Sequence, residues 1–251
     1  MEGVNIWENA EWTVQTRNII KALKKFPENS KIILLLRHSH RNNPTASEKM
    51  YELKLTPQGH QIATIFGQKL PISRSIRLFH SVVERCQETA EDILTGFESV
   101  GGKGTINGTL TPLFHAGTAP KFFLNIFKNE NPLEFLYRWA VGFYSPDKIT
   151  PFQSYCQNAA NVIWNGINDV QENGIDIHIT HDIFLIALKY GWFGLPPDKD
   201  WVPFLGGVAF VLTEKEIKLF DRDRFHSIPI PYWWKNKNSP SIKAYSSLIR
   251  K

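Results

Sequence analysis

The chain has 251 residues, 42% of them hydrophobic and 21% charged, with a formal net charge of +5, a balance that suits one globular domain able to bury its own core without outside staples. Its two cysteines, Cys86 and Cys156, form no spaced ligand pair, which argues against a disulfide framework and a zinc site and leaves reduced cytosolic thiols as the expectation. The positive charge favours anionic partners in general, but the basic residues are scattered and no recognition helix accompanies them, so nucleic acid is not an expected partner.

Met1 to Lys25 mixes Glu2, Glu8, Glu11 and Arg17 with apolar positions, unlike a signal peptide or an Arg-rich targeting sequence. The mature chain is therefore expected to start at Met1 and to be cytoplasmic. Lys31 to Leu36 is the clearest strand. Leu55-Thr56-Pro57-Gln58-Gly59 then sets a hydroxyl N-cap and a first-turn proline before Ile62, Ala63, Phe66 and Leu70, the signature of a helix start. Ser75 to His80 is the next strand, with a helix over Val83 to Phe97 directly behind it, and a weaker strand candidate lies around Thr105 to Leu110. From Leu113 to Asn173 the pattern becomes helix after helix, with aromatic anchors such as Phe123, Phe135, Trp139 and Trp164, and is expected to be an insertion capping the sheet. The strand Ile175 to Thr180 follows, then a helix over Ile183 to Trp192 and strands at Val208 to Thr213 and Ile217 to Phe220. The tail from Ile228 onward, rich in proline and tryptophan, is expected to run irregularly and to finish in a short helix at best.

This alternation of apolar runs with helices predicts an α/β chain: a three-layer α/β/α sandwich with a mostly parallel central sheet, one domain over residues 1–251 and a helical cap over residues 113–173. No apolar stretch is long enough to cross a bilayer, so no membrane is expected as a partner, and the sequence leaves the oligomeric state open.

In such a sheet ligands bind beyond the carboxyl ends of the strands. Three of those ends carry His or Arg: Arg37-His38-Ser39-His40-Arg41, His80-Ser81 leading into Glu84-Arg85-Cys86, and Thr180-His181-Asp182. Two guanidinium groups and two imidazoles at one rim make a poor cation site and a good site for a tetrahedral dianion. No metal and no cofactor is expected.

Here the sequence resembles the histidine phosphatases, whose first strand ends in Arg-His-Gly. Leu55-Thr56-Pro57-Gln58-Gly59 is similar to the family's Leu-Thr-x-x-Gly helix start, and Arg85-Cys86-Gln87-Glu88-Thr89-Ala90-Glu91 to its Arg-x-x-x-Thr-Ala-Glu helix. The resemblance implies His38 as nucleophile and Arg37, Arg85 and His181 as holders of the phosphoryl group. His181-Asp182 resembles the acid-phosphatase-like branch, where the aspartate donates the proton, and Arg41 falls where that branch places an extra phosphate-binding arginine. Two departures stand out: Ser39 replaces the glycine after the nucleophile, with a hydroxyl free to face the phosphoryl oxygens, and Pro44 lies one residue later than the family's proline.

The expected reaction is hydrolysis of a small phosphorylated substrate through a phosphohistidine, fastest at mildly acidic pH because Asp182 must hold a proton for the departing alkoxide. The rivals are a phosphomutase of the same fold, a metal-dependent hydrolase using His38 and His40, and a catalytically silent phosphate-binding module. Among the remaining histidines, His40 and His115 are expected nearest the pocket rim, and His60, His80, His178 and His226 are read as structural or surface residues.

Overall fold

A computed structural model describes residues 2–43, 52–116, 122, 125–126, 129–169 and 172–235. Pro44, Phe123 and the tail beyond residue 235 lie outside them.

Ile32–Arg37 forms β1, and its first five side chains are buried, the mark of a strand covered on both faces. It is central. The strands Ile76–His80 (β2), Gly104–Thr109 (β3), Ile175–Thr180 (β4), Gly207–Leu212 (β5), Glu216–Asp221 (β6) and Arg224–Pro229 (β7) complete one seven-stranded sheet in the order β3-β2-β4-β1-β5-β6-β7. The half from β3 to β1 is parallel, as the alternation of strands and helices requires. From β1 onward each strand pairs antiparallel with its neighbour.

The expectation for the tail is corrected at its start. Residues 228 and 229 belong to β7, whose Ile228 pairs with Ile217 of β6. The turn between these strands has only Arg222 and Asp223, with Arg222 at φ 59° and its guanidinium clamped on the Asp198 carboxylate at 2.6 and 2.7 Å. Asn-Gly and Asp-Gly are the usual markers of such turns, so the hairpin carries no local signal in the sequence.

Each face of the sheet has its own core. On one side Val14–Leu23 (α2), Pro57–Lys69 (α3) and Glu84–Ser99 (α4) bury Ile19, Leu23, Phe66 and Phe97 against Leu34, Ile177 and Ile179. Glu2–Asn9 (α1) lies against α3. On the other side Pro132–Ala140 (α5), Phe152–Gly166 (α6) and Asp182–Phe193 (α7) pack Trp139, Trp164 and Trp192 against Leu35 and Phe210. At roughly 25 cal/mol per Å2 of apolar surface, these two layers supply the main force for folding. No helix among the described residues is long and apolar enough to cross a membrane.

The start of α3 follows the expected chemistry. Thr56 caps α3 by accepting from Gly59 N at 3.1 Å, with Pro57 in the first turn. Gly59 is held to a bare α-carbon, since a Cβ there would lie 2.2 Å from the His40 carbonyl oxygen. Thus α3 fits flush against the segment that follows β1, the segment in which the candidate chemistry sits.

Candidate active site

The site assembles where β1, β4 and the first turns of α4 and α7 meet. Arg37 ends β1 opposite Thr180 of β4, so His38 and His181 emerge side by side, their rings 5.4 Å apart. Both imidazoles are buried. Arg85 comes in on the first turn of α4 and Asp182 on the first turn of α7, so two positive helix ends add to the guanidinium charges.

Hydrogen bonds assign the protons. His38 Nδ1 lies 2.8 Å from the Ser39 carbonyl, which only accepts, so Nδ1 carries the hydrogen and Nε2 the lone pair. Arg85 Nε, which only donates, points at His38 Nε2 from 3.0 Å. The same guanidinium donates through Nη2 to His181 Nδ1 at 3.0 Å. His181 must then carry its hydrogen on Nε2, which lies 3.0 Å from Ser81 Oγ. One arginine thus bridges the lone pairs of two neutral imidazoles.

The electrostatics agree. Burial, the neighbouring His181 and the Arg85 and Arg37 charges hold His38 well below the ordinary histidine range, against the Ser39 hydrogen bond. His181 is lowered likewise by burial and Arg85, with Asp182 opposing. Both therefore rest neutral near pH 7. Burial alone would raise the Asp182 carboxyl, but Arg37, the Trp201 side chain, the Ile183 N–H and His181 together bring it below the usual carboxylate value. The geometry shows why: Asp182 Oδ2 sits 2.9 Å from Arg37 Nη2, and Oδ1 accepts from Ile183 N at 2.8 Å. Without substrate, Asp182 is an ion-paired carboxylate.

Of the six candidate residues, five make direct contacts with another of the set: Arg85 bridges His38 and His181, whose rings also meet, and Arg37 pairs with Asp182. Arg41 stands slightly apart. Its Nη1 donates to the Asn42 carbonyl at 2.6 Å. Burial and the charges of Arg85 and Arg37 pull its guanidinium down to about 10, with Asp182 opposing, which puts it in the same field. The Nε atoms of Arg37 and Arg41 are buried, with no hydrogen-bond partner among the described residues. Buried unpaired donors are costly.

No protein-family model matches the chain, and no curated protein matches it in sequence. Solved structures do match its fold. Mycobacterial hydrolase 1 aligns at TM-score 0.53 and 11% identity over 78% of this chain and 99% of its own. The chain shares its fold with that hydrolase. YhfR of Bacillus stearothermophilus aligns at TM-score 0.49 and 17% identity, over 80% of this chain and 96% of its own. Phosphoserine phosphatase of Entamoeba histolytica, solved with 3-phosphoglyceric acid, aligns at 0.49 and 13% identity over 80% and 98%.

Within this fold, Ser39 behaves differently from what its place after His38 suggests. Its hydroxyl donates to the Gly59 carbonyl at 2.7 Å and its N–H to Thr89 Oγ1 at 3.0 Å, so it braces the loop against α3 and α4 and does not face the His38–Arg85 cluster. Ser39 is not among the residues with positive φ, so a side chain costs nothing in backbone strain. His40 does stand near the rim, with Nδ1 2.8 Å from Thr56 Oγ1. His178 lies deep in the sheet, stacked on Phe79 at 4.9 Å.

The sequence reading misses one whole side of the site. Val202 O accepts from Arg37 Nη1 at 2.8 Å, the Phe204 ring lies 4.2 Å from the Arg37 guanidinium carbon, and Leu205 N donates to His38 O at 3.3 Å. Trp12, between α1 and α2, contacts His40 and Phe204. A parallel β5 would have carried residues 201–205 to the opposite end of the sheet. Because β5 is antiparallel to β1, its leading end lies at the carboxyl rim.

Proposed function

We propose that this chain is a phosphatase of the histidine phosphatase superfamily, hydrolysing a phosphomonoester through a covalent phosphohistidine on His38. One observation carries the reading: the Arg85 guanidinium spans His38 Nε2 and His181 Nδ1, so a deprotonated nucleophile already stands in a cluster of three arginines. Phosphoryl transfer depends mainly on placing the nucleophile and stabilising charge on the equatorial oxygens. Arg37, Arg85, His181 and Arg41 supply that stabilisation.

A phosphoryl dianion entering the cluster offers Arg85 and Arg37 better acceptors than an imidazole and a carboxylate. Transfer of Arg85 to phosphate frees the His38 Nε2 lone pair. Loss of Arg37 from Asp182, with a dianion now beside the carboxylate, raises the proton affinity of Asp182 and suits it to the donor role. Nε2 then attacks phosphorus, the P–O ester bond breaks, and the departing oxygen takes the Asp182 proton. In the second half, water attacks the phosphohistidine and gives a proton back to Asp182, releasing inorganic phosphate and neutral His38.

The metal-dependent rival fits the donor set poorly. Both His38 ring nitrogens are engaged, Nδ1 by a carbonyl and Nε2 by a guanidinium donor, and a cation there would face Arg37 and Arg85 at close range. The test is a panel of phosphomonoesters assayed in the presence of chelator, with wild type beside His38→Ala. Turnover by wild type alone, with phosphate appearing in water and not on a second hydroxyl of the substrate, supports a metal-independent phosphatase. Activity that vanishes with chelator and returns with zinc or manganese overturns it.

A further inference from the structure

A line of rings runs outward from the phosphoryl cluster. Phe204 lies 5.7 Å from the His38 ring and 4.9 Å from the His40 ring, and its face covers the Arg37 guanidinium carbon at 4.2 Å. Trp12 continues the line, 5.5 Å from His40 and 6.2 Å edge-on from Phe204. On the other flank Phe114 stands 5.7 Å from His181. His38 and His181 are buried, whereas Trp12, His40, Phe204 and Phe114 are each half-buried. The rings are therefore more exposed than the two imidazoles that they adjoin.

We propose that Trp12 and Phe204 are specificity-determining residues that hold a planar aromatic ester group, so that the substrates of the His38 site are aryl phosphates and not small aliphatic ones. This rests on the phosphatase reading above. Offset-stacked and edge-to-face ring pairs at these separations are favourable beyond the apolar area they bury.

Trp12 offers the cleaner test, since its ring contacts are to His40 and Phe204 and not to Arg37, His38, Arg85 or His181. The experiment measures kcat and KM for phenyl phosphate, benzyl phosphate and O-phosphoserine with wild type, Trp12→Ala, Trp12→Leu and Trp12→Phe. Benzyl phosphate keeps the ring but has an aliphatic leaving oxygen, so it separates ring binding from ease of departure. Wild type is expected to favour both ring-bearing esters over phosphoserine. Trp12→Ala and Trp12→Leu should lower the benzyl-to-phosphoserine ratio of kcat/KM by about fivefold to tenfold, the size of one aromatic contact, through KM. Trp12→Phe should keep most of the ratio. Trp12→Leu preserves apolar bulk between α1 and α2, and a thermal melt on each variant shows that it folds. A folded Trp12→Leu with an unchanged ratio, or a wild type without ring preference, overturns the aromatic assignment. If phosphoserine still yields a phosphoenzyme on His38 in that case, the phosphatase reading stands alone. If no ester labels His38, both fall.

Discussion

At the scale of single residues, the proposed phosphate site leaves its two histidines uncharged. An isolated imidazole takes up a proton near pH 6.5, roughly. Burial, His181 and the arginines move His38 well below that value, so its nucleophilic form persists into acid. Because kcat/KM reports the free enzyme, the acid limb of its pH profile is expected below pH 6.5, and kcat should decline above neutrality as Asp182 in the complex loses its proton. A pH-rate series between acid and mildly alkaline buffers checks this, and an acid limb at or above the ordinary histidine value contradicts it. Arg37, His38, Arg85, His181 and Asp182 were legible because each closes a strand or opens the helix behind it. Phe204 and Trp12 were not, since a lone aromatic in a loop looks the same whether it packs a core or lines a site. The effect of Ser39 was also hidden, because the direction of its hydroxyl depends on where α3 crosses the loop.

At the scale of elements, helix starts were the most readable feature. The Thr56-Pro57-Gln58-Gly59 run sets α3 within one turn, and the same Thr56 hydroxyl also contacts His40 Nδ1 at 2.8 Å. Thr56→Ala is expected to cost about 1 kcal/mol through the lost cap, lowering Tm by about 2–4 °C for a chain of this size. Calorimetry would show it. A melting point equal to wild type would mean that the cap carries no weight. The β5–β6–β7 half was legible as strands at β5 and β6 but not in direction, and β7 was missed altogether. Antiparallel pairing leaves no mark on a buried strand, and the Arg222-Asp223 turn is held open at positive φ by a distant partner, Asp198, and not by a glycine. That direction brings residues 201–205 to the carboxyl rim, so one side of the candidate site depended on the least readable part of the fold.

At the scale of the whole molecule, the sheet buries a histidine where protonation costs stability. His178 is buried with neither ring nitrogen hydrogen-bonded among the described residues, and burial, helped by the Arg77 charge, holds it down to about 3. In the unfolded chain the same imidazole protonates near pH 6.5, roughly, so the unfolded state gains protons first. Stability therefore falls as pH drops through the window from there toward 3, by up to about 1.4 kcal/mol per pH unit. His38 and His181, both lowered, push in the same direction. His178→Leu is expected to flatten this slope and to melt above wild type at pH 5, with the gap narrowing at pH 8; melts showing an unchanged slope would contradict the assignment. The α/β architecture that buries His178 also brings the ends of β1 and β4 together, and there the account is most directly tested. The decisive measurement is to quench wild type and His38→Ala during turnover of a phosphorus-labelled aryl phosphate and map the label. Acid-labile, base-stable phosphate on His38, absent from the variant, is the predicted result. Steady turnover by His38→Ala, or label on any other residue, would contradict it.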